Sequence, residues 1–526
     1  MKMCRQLSDR LGFKKILIGQ ILVIAAFAGS VCAASANPAD PSKVIRMGFE
    51  AADDGFDMVR TANFYSGWVS EVIYETLLTY DYLARPAKLV PQTAEAMPEI
   101  SADGKTYTFH VRKGIYFSPD PAFKGVRREL TAEDYIYTLK RVLDPQSRSV
   151  HASFLAGKIV GLDDLAAQAQ KSGRFNYDAP VAGLQAPDRY TLRITLNAKD
   201  YNFLNIMAYL AFGAVAREII NAYGSQSGQH PVGTGPYMLQ TYVPRSKIVL
   251  VANPEYRGFT WDFKPSSDAI DTQIVKDMQG KRMPQVGRVE INIIEEEQSR
   301  WLAFQGKQID VDKMPLLAAP TVLDGDRLKP EYAGQGIQLQ RIVDASASYT
   351  VMNYKDPVIG GNSLGKIALR RAIAMAYDSK REVAILHHGQ AARLEMFIPP
   401  GVAGYDPNYR NSVAYDPALA NKLLDHFGYR RGADGYRTMP DGKPLLLTFT
   451  REPATSSQEM SELWKRCLDE IGIRSEFVVN NFSDNLKAAI QCKLMLWNVG
   501  WTAVYPEGQN FMQLLRGPNI GQSNLG

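Results

Sequence analysis

The stretch His230-Pro231-Val232-Gly233-Thr234-Gly235-Pro236-Tyr237 decides how this chain is read. Its glycines and prolines fix a tight connection, because glycine reaches backbone conformations closed to other residues and proline pre-sets its own φ. Ile248-Val249-Leu250 then reads as a strand laid into a core, and Asn253-Pro254-Glu255-Tyr256 as the turn that leaves it. Outward from this stretch the chain alternates strand and helix patterns. Tyr107, Phe109 and Val111 alternate with Thr108, His110 and Arg112, the period of a half-buried strand. Thr131 stands as an N-cap with Asp134 three residues on, and Tyr135, Leu139, Val142 and Leu143 follow at helical spacing until Asp144-Pro145. Val289, Ile291 and Ile293 predict a strand, and Leu369, Ala372, Ile373 and Ala376 the buried face of a helix. Leu463, Trp464, Cys467, Leu468 and Ile471 make another helical face ahead of the strand Phe477-Val478-Val479. The class is mixed α/β with several sheets. Turn-rich stretches at Gly224–Gly235 and Met314–Pro320 mark domain changeovers, and both are too short to be free tethers, so the domains are expected to pack and hinge.

With 526 residues, 45% apolar and 22% charged, the chain has the material for about three globular domains. Its net charge of +5 suggests nucleic acid only until the charges are located. Lys2, Arg5, Arg10, Lys14 and Lys15 against Asp9 place +4 of it in the first 36 residues, and the remainder offers no footprint for a polyanion. Those cations precede the apolar run Ile16–Ala28 and the small residues Cys32-Ala33-Ala34-Ser35-Ala36, the order of a secretory signal peptide. Ala34-Ser35-Ala36 fits the cleavage pattern. The run is short for a membrane span, which needs about 20 residues. Cys32 raises lipid attachment as an alternative, against which Val31 stands where a small residue is usual. Removal of the signal leaves Cys467 and Cys492 in an oxidising compartment, either bridged or as two apolar thiols.

Motifs for catalysis are weak. Gly360-Gly361-Asn362-Ser363-Leu364-Gly365-Lys366-Ile367 falls one residue short of a phosphate-binding loop, since Ile367 supplies no hydroxyl, and a plain loop-to-helix junction is the better reading. His387-His388 are adjacent and do not converge on one ion, and no carboxylate or Cys at ligand spacing joins them. Glu295-Glu296-Glu297 reads as a solvated strand end, and although Gly361-Asn362-Ser363-Leu364-Gly365 spells G-x-S-x-G, no buried strand runs directly into it as a nucleophile elbow requires. No metal, cofactor or catalytic group is expected.

The opening stretch, with Tyr242, Ile248-Val249-Leu250 and Asn253-Pro254-Glu255-Tyr256, resembles the signature of the family 5 extracellular solute-binding proteins, the oligopeptide- and dipeptide-binding components of ATP-driven importers. Ile73-Tyr74-Glu75-Thr76-Leu77-Leu78-Thr79-Tyr80-Asp81 resembles that family's first-domain helix and turn. Leu89-Val90-Pro91 through Asp103–Phe109 and Arg112-Lys113-Gly114-Ile115 is similar to its following hairpin, and Leu130–Asp134 to its capped helix. Leu369–Asp378 and Ile398-Pro399-Pro400 resemble a helix and turn of its third domain. The likeness runs from residue 44 onward.

This resemblance implies a three-domain periplasmic-binding-protein fold, two lobes with a hinge plus an inserted small domain. Residues 1–36 are the signal, 37–80 and 216–315 lobe I, 81–215 the inserted domain and 316–526 lobe II, left incomplete at Gly526 by comparison with relatives. It implies an exported monomer, periplasmic, that closes on a small-molecule or oligopeptide ligand and presents it to an ABC permease and ATPase complex, with no bond of the ligand broken. In the oligopeptide binders a Trp followed by an Asp-Tyr pair lines the cleft, the Asp pairing with the peptide's α-ammonium. The matching run here is Trp501-Thr502-Ala503-Val504-Tyr505-Pro506, with Val504 in the Asp position and Glu507 as a displaced substitute. Trp501, Thr502, Val504 and Tyr505 are thus implied ligand neighbours, with Tyr65 and Ser66 from lobe I, whereas Trp497 is expected in the core. Val504 keeps a non-peptide solute open, such as an opine, sugar acid, chelated metal or porphyrin. A secreted hydrolase is the rival from another class.

Cleavage after Ala36 predicts a mature chain that begins at Asn37. Intact-mass and N-terminal analysis of the exported protein check this, and a retained Met1 or a lipid-linked Cys32 would contradict it.

Overall fold

The computed structural model describes residues 38–520 apart from Ala62, Ser267 and Asp268; the signal segment lies outside the described residues. Its principal elements in chain order are β1 (Asp40–Phe49), α1 (Phe64–Ser70), β2 (Thr106–His110), α2 (Ala132–Leu143), β3 (Thr191–Thr195), α3 (Phe203–Met207), β4 (Tyr237–Val243), β5 (Lys247–Ala252) and β6 (Val286–Ile293). They continue with β7 (Ser346–Met352), α4 (Leu364–Ala376), β8 (Leu446–Arg451), α5 (Thr455–Glu470), β9 (Arg474–Val479) and β10 (Leu496–Thr502).

Three four-stranded sheets carry the architecture. The first has the order β1-β6-β5-β4, with β1 parallel to β6 and the other pairs antiparallel. Its inward residues Phe49, Ile291, Ile248 and Leu250 form a core with Phe56, Val69 and Ile73. The second is antiparallel and centred on β2 and β3, and its Phe109, Leu192 and Ile194 pack under Tyr135, Leu139 and Val142 of α2. The third has the order β7-β10-β8-β9, where β7 runs against β10 and the remaining pairs are parallel. Leu369, Ala372 and Ile373 of α4 and Trp464 and Leu468 of α5 cover it. Each apolar periodicity in the sequence thus marks a face that is buried.

The opening stretch of the sequence reading is a clasp. Gly235 donates its backbone N–H to Ile73 O at 2.8 Å and Tyr237 donates to Val72 O at 2.9 Å. At Gly233 an added Cβ would lie 2.0 Å from Ile73 O, and at Gly235 2.7 Å from Val72 O, so both positions exclude any side chain. Ser118, from the region of the second sheet, donates to Gly233 O on the other side. The hydroxyl of Thr234 donates to Glu75 Oε2 at 2.9 Å, and Arg257 adds two bonds to that carboxylate at 2.7 and 2.8 Å. Two of the sequence motifs therefore meet on one buried charge.

A second buried pair lies nearby. Arg141 of α2 donates to both oxygens of Asp57 at 3.2 and 2.7 Å, with Ser227 Oγ also on Asp57. Burial disfavours the guanidinium charge, and Asp57 more than restores it, holding Arg141 above its ordinary range. On α2 the carboxylate of Asp134 accepts from the Thr131 N–H at 2.8 Å and from its hydroxyl at 3.0 Å, which closes the N-terminus as the spacing predicts.

The weak motifs resolve into structure. Ser363 caps α4, and Lys366 Nζ donates to the carbonyls of Pro357 and Val358, spending its charge on the loop. Gly360 is required because a Cβ there would lie 2.4 Å from Tyr354 O. Glu296 caps the helix Glu297–Gln305 by accepting from Gln298 and Ser299 N–H groups, and His387 pairs with Glu382. Cys467 and Cys492 are both free thiols, which settles the open alternative against a bridge. Trp497 is buried, its Nε1 donating to Glu452.

Asp57→Asn leaves Arg141 as a buried cation without a counter-charge. A loss of about 3 kcal/mol or more is expected in urea unfolding, and wild-type stability of the variant would contradict it.

Candidate functional site

The run Trp501–Glu507 leaves the end of β10 where that strand pairs with the start of β7, Trp501 opposite Ala347 and Thr502 opposite Ser346. β10 is an inner strand of its sheet, so the turn that follows it starts from a fixed platform. The turn is held by Ala403, whose N–H donates to Pro506 O at 3.0 Å and whose carbonyl accepts from Gly508 N at 2.9 Å. At Gly508 a Cβ would come within 2.7 Å of Ile398 and 2.9 Å of Ala403 O, so only glycine fits.

Asn510 organises the side chains of this turn. Its Oδ1 accepts from the Trp501 indole N–H at 2.9 Å and from the Val504 N–H at 3.3 Å. Both partners are donors, which fixes the amide orientation. Asn510 is wholly buried, so these bonds have no water to replace them. Trp501 packs beside Ala347, Ile398, Val402 and Phe511 with its ring partly open. Val504 is half-buried and Thr502 exposed.

Tyr505 is buried and points its ring at Phe154, centroids 6.3 Å apart. Phe154 belongs to an aromatic group with Tyr209, Phe212 and His151. Gln509 accepts a hydrogen bond from Asn202, just before α3. Tyr80 donates to Asn205 of α3 at 2.9 Å, and its phenol is pushed up by burial and by the charges of Glu507 and Tyr505. The Tyr505 phenol is likewise raised, mainly by burial, with Asp200 and Glu507 adding to it and Asn510 opposing it. The turn 505–509 therefore faces Tyr80, Phe154 and Asn202 across a junction between the third sheet and the region of the second. His151 is buried there, Nε2 on Thr61 O at 2.9 Å, and burial pulls its pKa down, which keeps the ring neutral.

The structure brings Trp501, Val504 and Tyr505 together through Asn510. Tyr65 and Ser66 stand elsewhere, on α1: the Tyr65 hydroxyl donates to Glu50 at 2.7 Å, and Ser66 is fully buried with its hydroxyl on Asp54 at 2.9 Å. Among the described residues no hydrogen bond or ring contact joins the two groups. Glu50 is shared with Arg300, whose guanidinium also binds Asp312 at 2.8 Å. Phe154, Tyr209 and Asn510 escaped the sequence reading; Phe154 sits in a one-turn helix without periodicity, and a single Asn near the end of a motif carries no spacing signal. A cavity of about 330 Å³ lies elsewhere, between Ser118–Asp120, Gln229–Val232 and β4. No group of three or more His, Cys, Asp or Glu side chains able to hold a metal occurs among the described residues.

Residues 88–523 match the family described as bacterial extracellular solute-binding proteins, family 5. A heme-binding protein A of Haemophilus influenzae is 24% identical over 476 residues, 87% of this chain and 74% of that protein. A di/tripeptide-binding protein 2 of Pseudomonas aeruginosa is 27% identical over 86% of this chain and 74% of its own length. Among solved structures, the periplasmic binding protein DppA of Helicobacter pylori in complex with the peptide STSA superposes with a TM-score of 0.64 at 21% identity, covering 92% of this chain and 83% of that one.

Asn510→Ala strands the Trp501 indole N–H and the Val504 N–H in a buried turn. A loss of about 1–3 kcal/mol is expected in denaturant unfolding, and an unchanged midpoint would contradict the role given to Asn510.

Proposed function

The chain belongs to the bacterial extracellular solute-binding proteins of family 5, and from that membership we propose that it captures a peptide-like solute between two lobes and delivers it to an ABC-type permease. The observation that carries this reading is the turn 505–509, which reaches from the third sheet to Phe154 and Asn202 on the opposite side of a junction. Two bodies that meet through a few aromatic and polar contacts are suited to open and close on a ligand. Closure removes the ligand from water and changes the outer surface that a membrane partner meets.

The division proposed is residues 37–80 and 216–315 as lobe I, 81–215 as the inserted domain and 316–526 as lobe II. In support, the first sheet falls wholly in the first of these and the third sheet wholly in the last. The core around β2, β3 and α2 draws in Leu77, Leu78, Ala216 and Val232 at its margins, so the inserted domain is welded to lobe I. Export to the periplasm follows from the signal segment, and no helix among the described residues is long and apolar enough to cross a membrane. Trp501, Thr502, Val504 and Tyr505 are proposed as the ligand's neighbours from lobe II, and Tyr65 and Ser66 as the contribution of lobe I. The protein acts as a monomer and leaves its ligand chemically intact.

Incubation with a panel of di-, tri- and tetrapeptides tests this. Expected are a higher melting midpoint, worth about 2.7 kcal/mol at a hundredfold excess over Kd, a smaller radius of gyration, and peptides recovered whole. Cleaved peptides would replace the reading with a hydrolase, and stabilisation by hemin alone would replace the cargo.

A further inference from the structure

The turn at residues 81–88 meets the segment 257–283 in a group of aromatic rings that stands open to solvent. Tyr82 packs its ring against Trp261, centroids 5.1 Å apart, and lies 6.1 Å from Phe263. Phe263 in turn lies 4.8 Å from Trp261 and 6.4 Å from Phe259. The group is fixed by its backbone: the short strands Phe259–Thr260 and Arg282–Met283 pair, and the Trp261 N–H donates to Lys281 O at 2.8 Å. Arg85 ties the turn to the helix Ala269–Met278 by donating to Asp271 at 2.6 Å. Even so, Tyr82 is 60% exposed and Phe259 39%, with Ile270 of that helix exposed beside them. Rings held together yet left in water mark a surface that something else covers.

Cations border this face. Lys88 closes the turn that carries Tyr82, Lys264 follows Phe263 directly, and Lys281 and Arg282 lie on the strand opposite Trp261. All four are exposed, and among the described residues none has a carboxylate partner. The neighbouring acids are already engaged. Asp81 accepts from the N–H groups of Leu83 and Ala84, Asp262 from the Gln279 amide, and Asp271 from Arg85. Although the chain beyond the signal is close to neutral as a whole, this face is positive. The Trp261 indole N–H adds a third feature, for it is buried and has no acceptor among the described residues, where a buried indole ordinarily has one.

An occupant that suits the face is apolar enough for the rings, negative enough for the lysines and rich in acceptor oxygens. The interface of an anionic bilayer has all three, since Tyr and Trp settle at the headgroup level while Lys and Arg reach the phosphates. A second copy docked through the same patch would set like charges against each other. We propose that this face docks on anionic phospholipid, so that the exported chain is held by a weak, reversible contact at the surface of the membrane that carries its permease. The inference goes beyond the solute-binding reading and holds whatever the cargo is.

The test is flotation of the whole protein with vesicles of phosphatidylcholine alone and of phosphatidylcholine mixed in equal parts with phosphatidylglycerol, at low and at high salt. Binding to the mixed vesicles is expected to be tighter by about tenfold or more and to weaken with salt. The double variant Lys264→Glu/Lys281→Glu is expected to lose that preference, and Tyr82→Ser/Phe259→Ser to bind both vesicles less. Ile342→Ser, which removes an exposed apolar residue from the loop before β7, is expected to change nothing. Melting midpoints equal to that of wild type separate lost binding from misfolding, and the lysine pair decides the matter alone if the aromatic pair does not fold. Absence of flotation, equal flotation with both vesicles, or indifference to the lysine pair overturns the inference. Self-association in analytical ultracentrifugation that Tyr82→Ser/Phe259→Ser abolishes overturns it in favour of a second copy. Peptide titrations are expected to be the same in all variants, so failure here leaves the solute-binding reading untouched.

Discussion

The fold hangs on the carboxylate of Glu75. It is almost wholly buried, and Arg257 grips both of its oxygens while Thr234 donates a third bond, so the carboxylate is compensated for the water it loses. These two partners lie 159 and 182 residues away in sequence, Thr234 within the stretch 230–237 and Arg257 directly after the turn Asn253–Tyr256. The charge cannot be satisfied until the stretch 230–237 lies against Val72 and Ile73, and the glycines at 233 and 235 exist because that approach leaves no room for a Cβ. A buried charge costs several kcal/mol when unpaired, so any register other than this one is penalised. The ion pair thus buys position more than stability.

From that clasp the rest of the first two sheets follows. Asp57 and Arg141 add a second buried pair between the loop after β1 and helix α2, and together the two pairs leave the inserted region little freedom to move against β1, β4, β5 and β6. The contrast with the third sheet is physical. Its contacts with Tyr80, Phe154 and Asn202 are a ring edge and one amide hydrogen bond, without a buried ion pair. Motion concentrates where contacts are few and polar, so relative movement of the third sheet is the cheaper one.

How much of this could be read in the sequence depends on distance along the chain. Periods of two and of 3.6 residues betray which face is dry, and Phe109, Leu369, Ala372 and Trp464 sit where their spacing puts them. Thr131 and Asp134 are legible for the same reason, since a helix cap is completed within three residues. Pairings such as Asp57 with Arg141 leave no local trace, because an isolated Asp and an isolated Arg look like solvated surface until the fold joins them. The site divides along the same line. Trp501 and Tyr505 belong to a contiguous motif and are visible in it, whereas Asn510, Phe154 and Asn202 act only by being near that motif in space.

Valine at 504 acquires a physical meaning from its neighbours. The residue lies half-buried beside a backbone N–H already taken by Asn510 and one residue before a buried tyrosine. An aspartate there would add a second carboxylate to a turn that already carries Glu507 and faces Asp200, and mutual repulsion among them would raise the cost of closing. With valine, one negative charge remains on the turn, held by backbone bonds on both sides of the contact between sheets.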